Sequence, residues 1–358
     1  MDPLILIAAG GTGGHIFPGL AVAEELEALA PKARVEFVGS TAPLGLERTI
    51  VPRAGLRLHL LPVFPINTPS LLARIRGVMG LPLGLIRALA LLLKTKPQVV
   101  LGIGGYASGP LVLMASVIGI PTVLLEPNAV PGFTNRRLRR FVRHAACAFE
   151  ATLSHFGKKG VLTGNPVRSS FRALPVRAHS GPFHLLCFGG SQGSRILSEA
   201  LIKALRDLPG EETLAIVHQT GLAEFEKVRK SYRDAERRGR IIPFIDDMSE
   251  AFGEADLILC RAGATTIAEL KVAGKASILV PLASAADDHQ TANAKALVAE
   301  GASVMISEAN LETLGAVISN LVKDPARLRA MEDRARSLGK PDAAARVASL
   351  LAPWLKAA

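Results

Sequence analysis

Three glycine-dense segments are the places where this chain can do chemistry. They are Gly10-Gly11-Thr12-Gly13-Gly14-His15, Gly102-Ile103-Gly104-Gly105-Tyr106 and Gly189-Gly190-Ser191-Gln192-Gly193-Ser194. Each follows an apolar run with the character of a buried strand and precedes a helical pattern, so each predicts a strand-to-helix turn. Backbone N–H groups and the positive end of the helix dipole attract phosphate at such a turn. One glycine turn is a weak signal, because tight turns favour glycine for conformational reasons alone. Three of them, split across both halves of the chain, argue for anion binding. A nicotinamide dinucleotide fits poorly, since it calls for G-x-G-x-x-G and an acid about 20 residues later, at the end of the second strand. This chain has Gly39-Ser40-Thr41 there, and no G-x-x-x-x-G-K-[ST] loop occurs anywhere. The phosphates expected are those of a nucleotide sugar or a lipid carrier, gripped without a lysine loop.

Other reactive side chains lie beside these turns. His15 opens the first helix, and an imidazole with a pKa near about 6.5 suits proton removal at neutral pH. A lone histidine there also reads as a helix-start residue bonded to backbone. Cys260-Arg261-Ala262-Gly263-Ala264-Thr265-Thr266-Ile267-Ala268-Glu269 runs from a strand end into a helix and sets Glu269 one turn inside it. A carboxylate so placed accepts both hydroxyls of a ribose; the plainer reading is a solvated acid favoured by the dipole. Asp287-Asp288-His289-Gln290 opens another helix and offers either sugar-binding amides or a capping pair of acids.

Alternating short strands and amphipathic helices run from end to end, which predicts an α/β protein with parallel sheets. In the first half the strands expected are 4–9, 35–39, 57–62, 99–103, 122–125 and 146–149, with helices near 14–29, 87–93, 110–118 and 134–140. The polar, proline-bearing stretch from Gly164-Asn165-Pro166-Val167-Arg168 to Pro182 reads as a linker. The pattern then restarts, with strands at 183–188, 214–218, 241–245, 257–260, 277–281 and 303–306 and helices near 195–205, 223–237, 266–273, 289–299 and 311–322. The simplest architecture is two Rossmann-like, doubly wound parallel-sheet domains facing across a cleft, residues 1–163 and 164–340. A last helix near 343–355 has no assigned partner, and residues 341–358 can pack back on the first domain.

The composition narrows the class. The 358 residues are 49% hydrophobic and 20% charged, which excludes a disordered chain. Cys147, Cys187 and Cys260 are odd in number, distant and in no C-x-x-C pair, so they read as reduced, packed thiols. Net charge is +11, and it is unevenly placed: residues 1–163 carry 17 basic and 8 acidic side chains, while Glu126 is the sole acid between Arg48 and Phe149. Nucleic acid, an anionic membrane and phosphorylated substrates all fit a positive balance. The two Tyr and one Trp offer few stacking platforms, which argues against nucleic acid. No signal peptide is evident at the start. The uncharged stretch Gln98–Leu125 is long enough for a membrane span, but its glycines and prolines parse it into strand, helix and strand.

Taken together, the motifs resemble one family closely. G-G-T-G-G-H at 10–15, G-G-Y-x-S-G-P at 104–110, G-N-P-V-R at 164–168, G-G-S-Q-G-S-R at 189–195, F-I-D-D-M at 244–248, C-R-A-G-A-T-T-I-A-E at 260–269 and D-H-Q-T-A-N-A at 288–294 follow the order found in the MurG family of bacterial glycosyltransferases. The resemblance implies the two-domain GT-B fold and a cytoplasmic-face, peripheral enzyme of the inner membrane working in peptidoglycan synthesis. It implies inverting, metal-independent transfer, without cofactor, from UDP-N-acetylglucosamine (UDP-GlcNAc) to the C4 hydroxyl of undecaprenyl-diphospho-N-acetylmuramyl-pentapeptide (lipid I), giving lipid II. Asp246-Asp247 and Asp287-Asp288 are adjacent pairs and form no D-x-D motif.

By the same resemblance His15 is the base, with Glu126 a secondary catalytic residue, and Gly14, His15, Gly104, Gly105 and Tyr106 meet the acceptor. The donor falls to Thr12, Gly13, Gly14, Asn128, Arg168, Ser191, Gln192, Ile245, Met248, Arg261, the run Ala264, Thr265, Thr266, Ile267, Ala268 and Glu269, and Gln290. Two departures stand out: the usual H-E-Q-N is Leu125-Glu126-Pro127-Asn128, and the usual C-R-S-G-A carries Ala262. A membrane-bound acceptor draws attention to Leu71, Leu72, Arg74, Ile75, Arg76, Val78, Met79, Leu81 and Arg87. Apolar and basic residues without acids suit shallow insertion among anionic headgroups; a buried helix pair with basic ends is the alternative. Rival readings are another GT-B transferase, a sugar-nucleotide epimerase on the same fold, and a nucleic-acid-binding protein.

Overall fold

Apolar runs such as Leu4–Ala9, in which every residue is buried, form parallel strands that are covered on both faces. The computed structural model describes residues 2–42, 45–64, 71–177, 181–210 and 213–355. These divide into two compact units, Met1–Arg168 with Lys340–Ala358, and Ser169–Gly339.

The first unit contains β1 (Leu4–Ala9), α1 (Gly13–Leu29), β2 (Arg34–Ser40), α2 (Glu47–Arg53), β3 (Arg57–Leu61), α3 (Leu71–Thr95), β4 (Val99–Gly104) and α4 (Ser108–Val117). It continues with β5 (Thr122–Glu126), α5 (Phe133–Leu138), β6 (His144–Cys147), α6 (Leu153–Phe156) and β7 (Gly160–Leu162). Its strands form one parallel sheet in the order β3-β2-β1-β4-β5-β6-β7. The second unit contains β8 (Phe183–Phe188), α7 (Arg195–Ala204), β9 (Leu214–Gln219), α8 (Phe225–Asp234), β10 (Arg240–Ile242), α9 (Met248–Glu254) and β11 (Leu257–Cys260). After these come α10 (Ala264–Ala273), β12 (Ser277–Leu279), α11 (His289–Ala299), β13 (Ser303–Met305), α12 (Leu314–Val322) and α13 (Pro325–Ser337). Its sheet is also parallel, in the order β10-β9-β8-β11-β12-β13. Each order reverses once, between β1 and β4 and between β8 and β11. At such a reversal the turns leaving neighbouring strands diverge, and a crevice opens beyond their carboxyl ends.

The last helix, α14 (Ala343–Leu351), lies on α1. Its Val347 and Leu351 join Ile5, Ile7, Val22 and Leu26 in one buried cluster. The sequence boundary after Thr163 differs from the observed break after Arg168. Asn165 and Val167 are buried, and the Arg168 guanidinium lies 4.4 Å from the centroid of the Phe17 ring on α1. Farther along, the Arg177 Nε donates to the buried Asp256 at 2.6 Å, and Asp256 also accepts the His184 N–H at 2.7 Å. The connecting segment is thus tied to the base of the second sheet.

Residues 98–125 form β4, α4 and β5, as the parsing into strand, helix and strand expects. Residues 71–95 differ from expectation, because one 25-residue helix replaces the short one near 87–93. Pro82 removes one helical N–H there. The helix continues because Gly77, Gly84, Ala88 and Leu92 fall on one buried stripe, with Gly84 so close that a Cβ would meet Val63 Cγ1 at 2.6 Å. The other side leaves Ile75, Val78, Met79, Leu83, Ile86 and Leu93 exposed. Arg74, Arg87 and Lys94 are exposed along it too, and Leu81 is half-buried. The side chains of Leu71, Leu72 and Arg76 lie outside the described residues. Gly77–Thr95 is long and apolar enough to cross a membrane by length and composition. The short elements α2, α6, α9 and β7 and the helix α13 are not among the elements expected from the sequence. The α13 start was legible in Asp324-Pro325: Asp324 accepts the Arg327 N–H at 3.0 Å, with proline in the first turn.

A buried polar chain fixes α7, the helix that follows the third glycine loop. Ser198 Oγ on α7 lies 3.0 Å from His218 Nε2 on β9, and His218 Nδ1 lies 3.2 Å from the Tyr232 hydroxyl on α8. Burial pushes His218 down to about 4, from an ordinary value of 6.5. A depressed folded-state value contributes stability that is present above pH 6.5 and is lost as pH falls through 4. Acidification from pH 7 to pH 4.5 is expected to cost the second unit on the order of 2 kcal/mol through this group. Urea midpoints at the two pH values check it: His218→Gln should lose less on acidification than the parent, and an equal loss would remove the assignment.

Candidate active site

The first two glycine loops leave adjacent strands. Ala9 of β1 stands in register with Gly104 of β4, beside a shift in the pairing. Thr12 is the extended N-cap of α1, and its carbonyl accepts the His15 and Ile16 N–H groups at 3.1 and 3.3 Å. His15 Nδ1 lies 3.1 Å from the Gly10 carbonyl oxygen. A carbonyl only accepts, so Nδ1 carries the proton and the basic lone pair belongs to Nε2. The second loop makes room for this ring: Gly104 adopts φ +128°, and a Cβ there would lie 2.9 Å from His15 Nε2. Tyr106 stands 39% exposed at the same edge.

Glu126 ends β5 and is fully buried. Its carboxylate accepts the Asn128 N–H at 3.0 Å, the Gly132 N–H at 2.9 Å and the Asn135 Nδ2 at 2.9 Å, with Asn128 Nδ2 at 3.3 Å. Burial pushes its pKa up, and the four donors pull it back. The sequence reading made Glu126 a secondary catalytic group. The geometry corrects this: both oxygens are engaged in holding the 126–135 loop and Asn128. Pro127 leaves the loop intact, because the donors come from 128, 132 and 135.

The third loop is seated by backbone contact. Gly193 has φ +74°, and a Cβ on it would lie 1.8 Å from the Thr220 carbonyl oxygen; one on Gly221 would lie 2.0 Å from that of Gln192. Ser191 and Gln192 are exposed at its tip. Ser194 caps α7 by accepting the Leu197 N–H at 3.4 Å. Arg261, expected to touch the donor, is 8% exposed and faces the protein. Its Nη2 donates to Ser194 Oγ at 2.8 Å, its Nη1 to the carbonyls of Val280 and Pro281 at 3.2 Å each, and Glu308 lies 2.7 Å away. Arg261 therefore braces the loop from behind.

Further residues expected to meet the donor belong to the same unit. Ile245 is 8% exposed between exposed Phe244 and Asp246, followed by half-buried Met248. Asp247 caps α9 by accepting the Ser249 and Glu250 N–H groups at 2.9 and 3.1 Å. Ala264, Thr265, Ile267, Ala268 and Glu269 are buried in α10, with Thr266 half-buried; Glu269 is 5% exposed. Gln290 Oε1 accepts the Leu282 N–H at 3.0 Å. Ala262 is fully buried, and its carbonyl accepts Asn293 Nδ2 at 3.3 Å, so backbone secures this turn where a serine is usual. No group of three or more metal-ligating side chains occurs among the described residues.

Sequence reasoning missed Glu47, Glu308, Ser194 and Phe17. Ser194 carried a legible signal as a serine opening a helix. Glu47 and Glu308 act across the fold and left none.

Two doubly wound parallel sheets with glycine turns at their carboxyl edges are the architecture of the GT-B glycosyltransferases. The chain belongs to glycosyltransferase family 28: residues 5–147 match its N-terminal domain and residues 184–347 its C-terminal domain. It is 45% identical over 352 residues to the UDP-N-acetylglucosamine–N-acetylmuramyl-(pentapeptide) pyrophosphoryl-undecaprenol N-acetylglucosamine transferase of Myxococcus xanthus, covering 97% of this chain and 91% of that one. It is 44% identical to the same-named protein of Anaeromyxobacter sp. (strain Fw109-5), over 98% of this chain and 93% of that one. The crystal structure of Acinetobacter baumannii MurG superposes with TM-score 0.79 at 33% identity, covering 99% of this chain and 100% of that one.

The third loop yields a direct test. Gly193→Ala drives a Cβ into fixed backbone at a positive φ and should destabilise the second unit by about 1–3 kcal/mol. Gly210→Ala, which meets nothing within 4 Å, should stay within about 0.5 kcal/mol of the parent. Equal urea midpoints for both variants would show that the loop is not seated on Thr220.

Proposed function

We propose that this chain transfers N-acetylglucosamine from UDP-GlcNAc to undecaprenyl-diphospho-N-acetylmuramyl-pentapeptide, releasing UDP and forming lipid II for peptidoglycan synthesis. The observation that carries it is the match along nearly the whole chain to transferases named for that reaction, through both family 28 domains. Other GT-B transfers and sugar-nucleotide epimerisation are not favoured by that match.

The reaction is a single displacement. The muramyl C4 oxygen attacks the anomeric carbon, the bond to the UDP β-phosphate oxygen breaks, and the α-linked sugar becomes β-linked. His15 Nε2 takes the hydroxyl proton, in the tautomer fixed by Gly10. The loop Gly189–Ser194, the α7 dipole and Ser191 meet the charge growing on the diphosphate, and Arg168 donates to its oxygens. Ile245 and Ala264 hold uracil through backbone, and Glu269 accepts the ribose hydroxyls. Thr12, Gly13, Gly14, Gln192, Gln290 and Asn128 surround the donor phosphates and sugar, with Met248 and the 265–268 turn beside the nucleoside. Gly104, Gly105 and Tyr106 line the acceptor. Arg261 and Glu126 serve as braces.

The enzyme works peripherally on the cytoplasmic face of the inner membrane. The exposed apolar stripe of α3, with Arg74, Arg87 and Lys94 and without acids, inserts among anionic headgroups. Nucleic acid is not a partner.

His15→Ala is expected to lower kcat by about 100-fold or more, with the Kd for UDP within about twofold. Assays of UDP release with the lipid-linked acceptor should show turnover persisting in EDTA, and undiminished turnover by His15→Ala would sink the base assignment. For the membrane surface, co-sedimentation with phosphatidylglycerol vesicles should weaken as salt rises and fall further in Met79→Asp/Ile86→Asp. Binding indifferent to both changes would overturn that reading.

A further inference from the structure

The reading of His15 as the base leaves open what aims its imidazole, and one buried carboxylate stands behind it. Glu47, the first residue of α2, has 0% exposure. Its Oε2 accepts the Gly11 N–H at 2.9 Å, and its Oε1 accepts the Ser40 N–H at 3.1 Å. Three glycines make space for it. A Cβ on Gly10 would lie 2.8 Å from Oε1, one on Gly39 2.6 Å from Cγ, and one on Gly45 2.8 Å from the carboxylate. The end of β1, the end of β2 and the turn into α2 thus all close on the same group.

The Gly11 N–H and the Gly10 C=O belong to a single peptide unit. Its N–H points to Glu47, and its C=O points to His15 Nδ1 at 3.1 Å. The peptide is planar, so fixing the N–H direction fixes the C=O direction. A Gly-Gly peptide turns over readily, because neither residue restricts its backbone, and Gly11 already sits at φ +88°. On the opposite side Gly105, at φ +78°, presses on the same unit, where a Cβ would lie 2.5 Å from the Gly10 oxygen.

We infer that Glu47 is a positioning residue that sets the tautomer and aim of the His15 imidazole through the Gly10–Gly11 peptide. The inference rests on the reading of His15 as the base. A carboxylate on the N–H polarises the peptide and strengthens the hydrogen bond at its carbonyl. That bond keeps the proton on Nδ1 and the basic lone pair on Nε2. The arrangement does the work of the carboxylate in a Ser-His-Asp triad, with a peptide group between acid and imidazole.

Glu47→Gln tests it, since the amide keeps the volume but its NH2 cannot accept one of the two N–H groups. The expected result is a roughly tenfold lower kcat with UDP affinity within twofold of the parent. The 15N spectrum of the His15 imidazole, assigned by its loss in His15→Ala, should move from the Nδ1–H form toward Nε2–H. Glu47→Asp retains the charge one methylene farther away and should lie between parent and Gln in both readouts. A Glu47→Gln enzyme within twofold of parental kcat, or one with an unshifted imidazole spectrum, overturns the inference. Full turnover by His15→Ala would instead remove the base assignment, and with it the catalytic half of the inference, while the spectrum still decides the coupling.

Discussion

Backbone N–H groups at the carboxyl ends of parallel strands must find acceptors, and this constraint shapes both units. A strand that turns sharply into a helix leaves several amides pointing away from the sheet. Side chains at the turn would screen them, so glycine occupies the turn and the amides stay accessible to an anion. Here some of those amides are met by the protein's own carboxylates. Glu47 takes the Gly11 N–H, and Glu126 takes those of Asn128 and Gly132. Behind the loop of the second unit stands Arg261, whose partners are Ser194, two carbonyls and Glu308. The first unit thus meets amides at its turns with buried carboxylates, and the second braces its glycine loop with a buried arginine.

Much of this was legible in the sequence. Fully buried strands read as unbroken apolar runs, the glycine turns sat where strand patterns met helix patterns, and the break in the two-unit organisation fell in a proline-bearing segment. Residues whose role is set by a neighbour in sequence were also legible, such as His15 beside its loop and Asp324 before Pro325. What stayed hidden depends on contacts between distant segments. Glu47 becomes a site residue only because three separate glycines close around it, and Glu308 only because β13 and its following turn bring it to Arg261. In the same way, Arg261 looked like a ligand contact because it lies inside a motif. Its guanidinium points inward because carbonyls and a carboxylate await it there. The long helix α3 was obscured for another reason: Pro82 mimics a stop, and only the buried stripe of small residues explains why the helix runs through it.

Charge needs similar care. The positive balance belongs mostly to the first unit, and within it to surfaces with hardly any acids. Glu36, Glu47 and Glu126, three of the few acids in that unit, are buried. Burial removes them from the outer surface, which makes the exterior more one-sidedly basic than composition suggests.

The return of α14 to α1 has a consequence for how the molecule is made. The second unit is an insertion between two parts of the first, so it is synthesised complete while the first still lacks a piece. Until residues 343–351 leave the ribosome, the face of α1 that carries Val22 and Leu26 has no cover from Val347 and Leu351. The unit begun first is therefore finished last, and its apolar helix face stays open to misassociation until then.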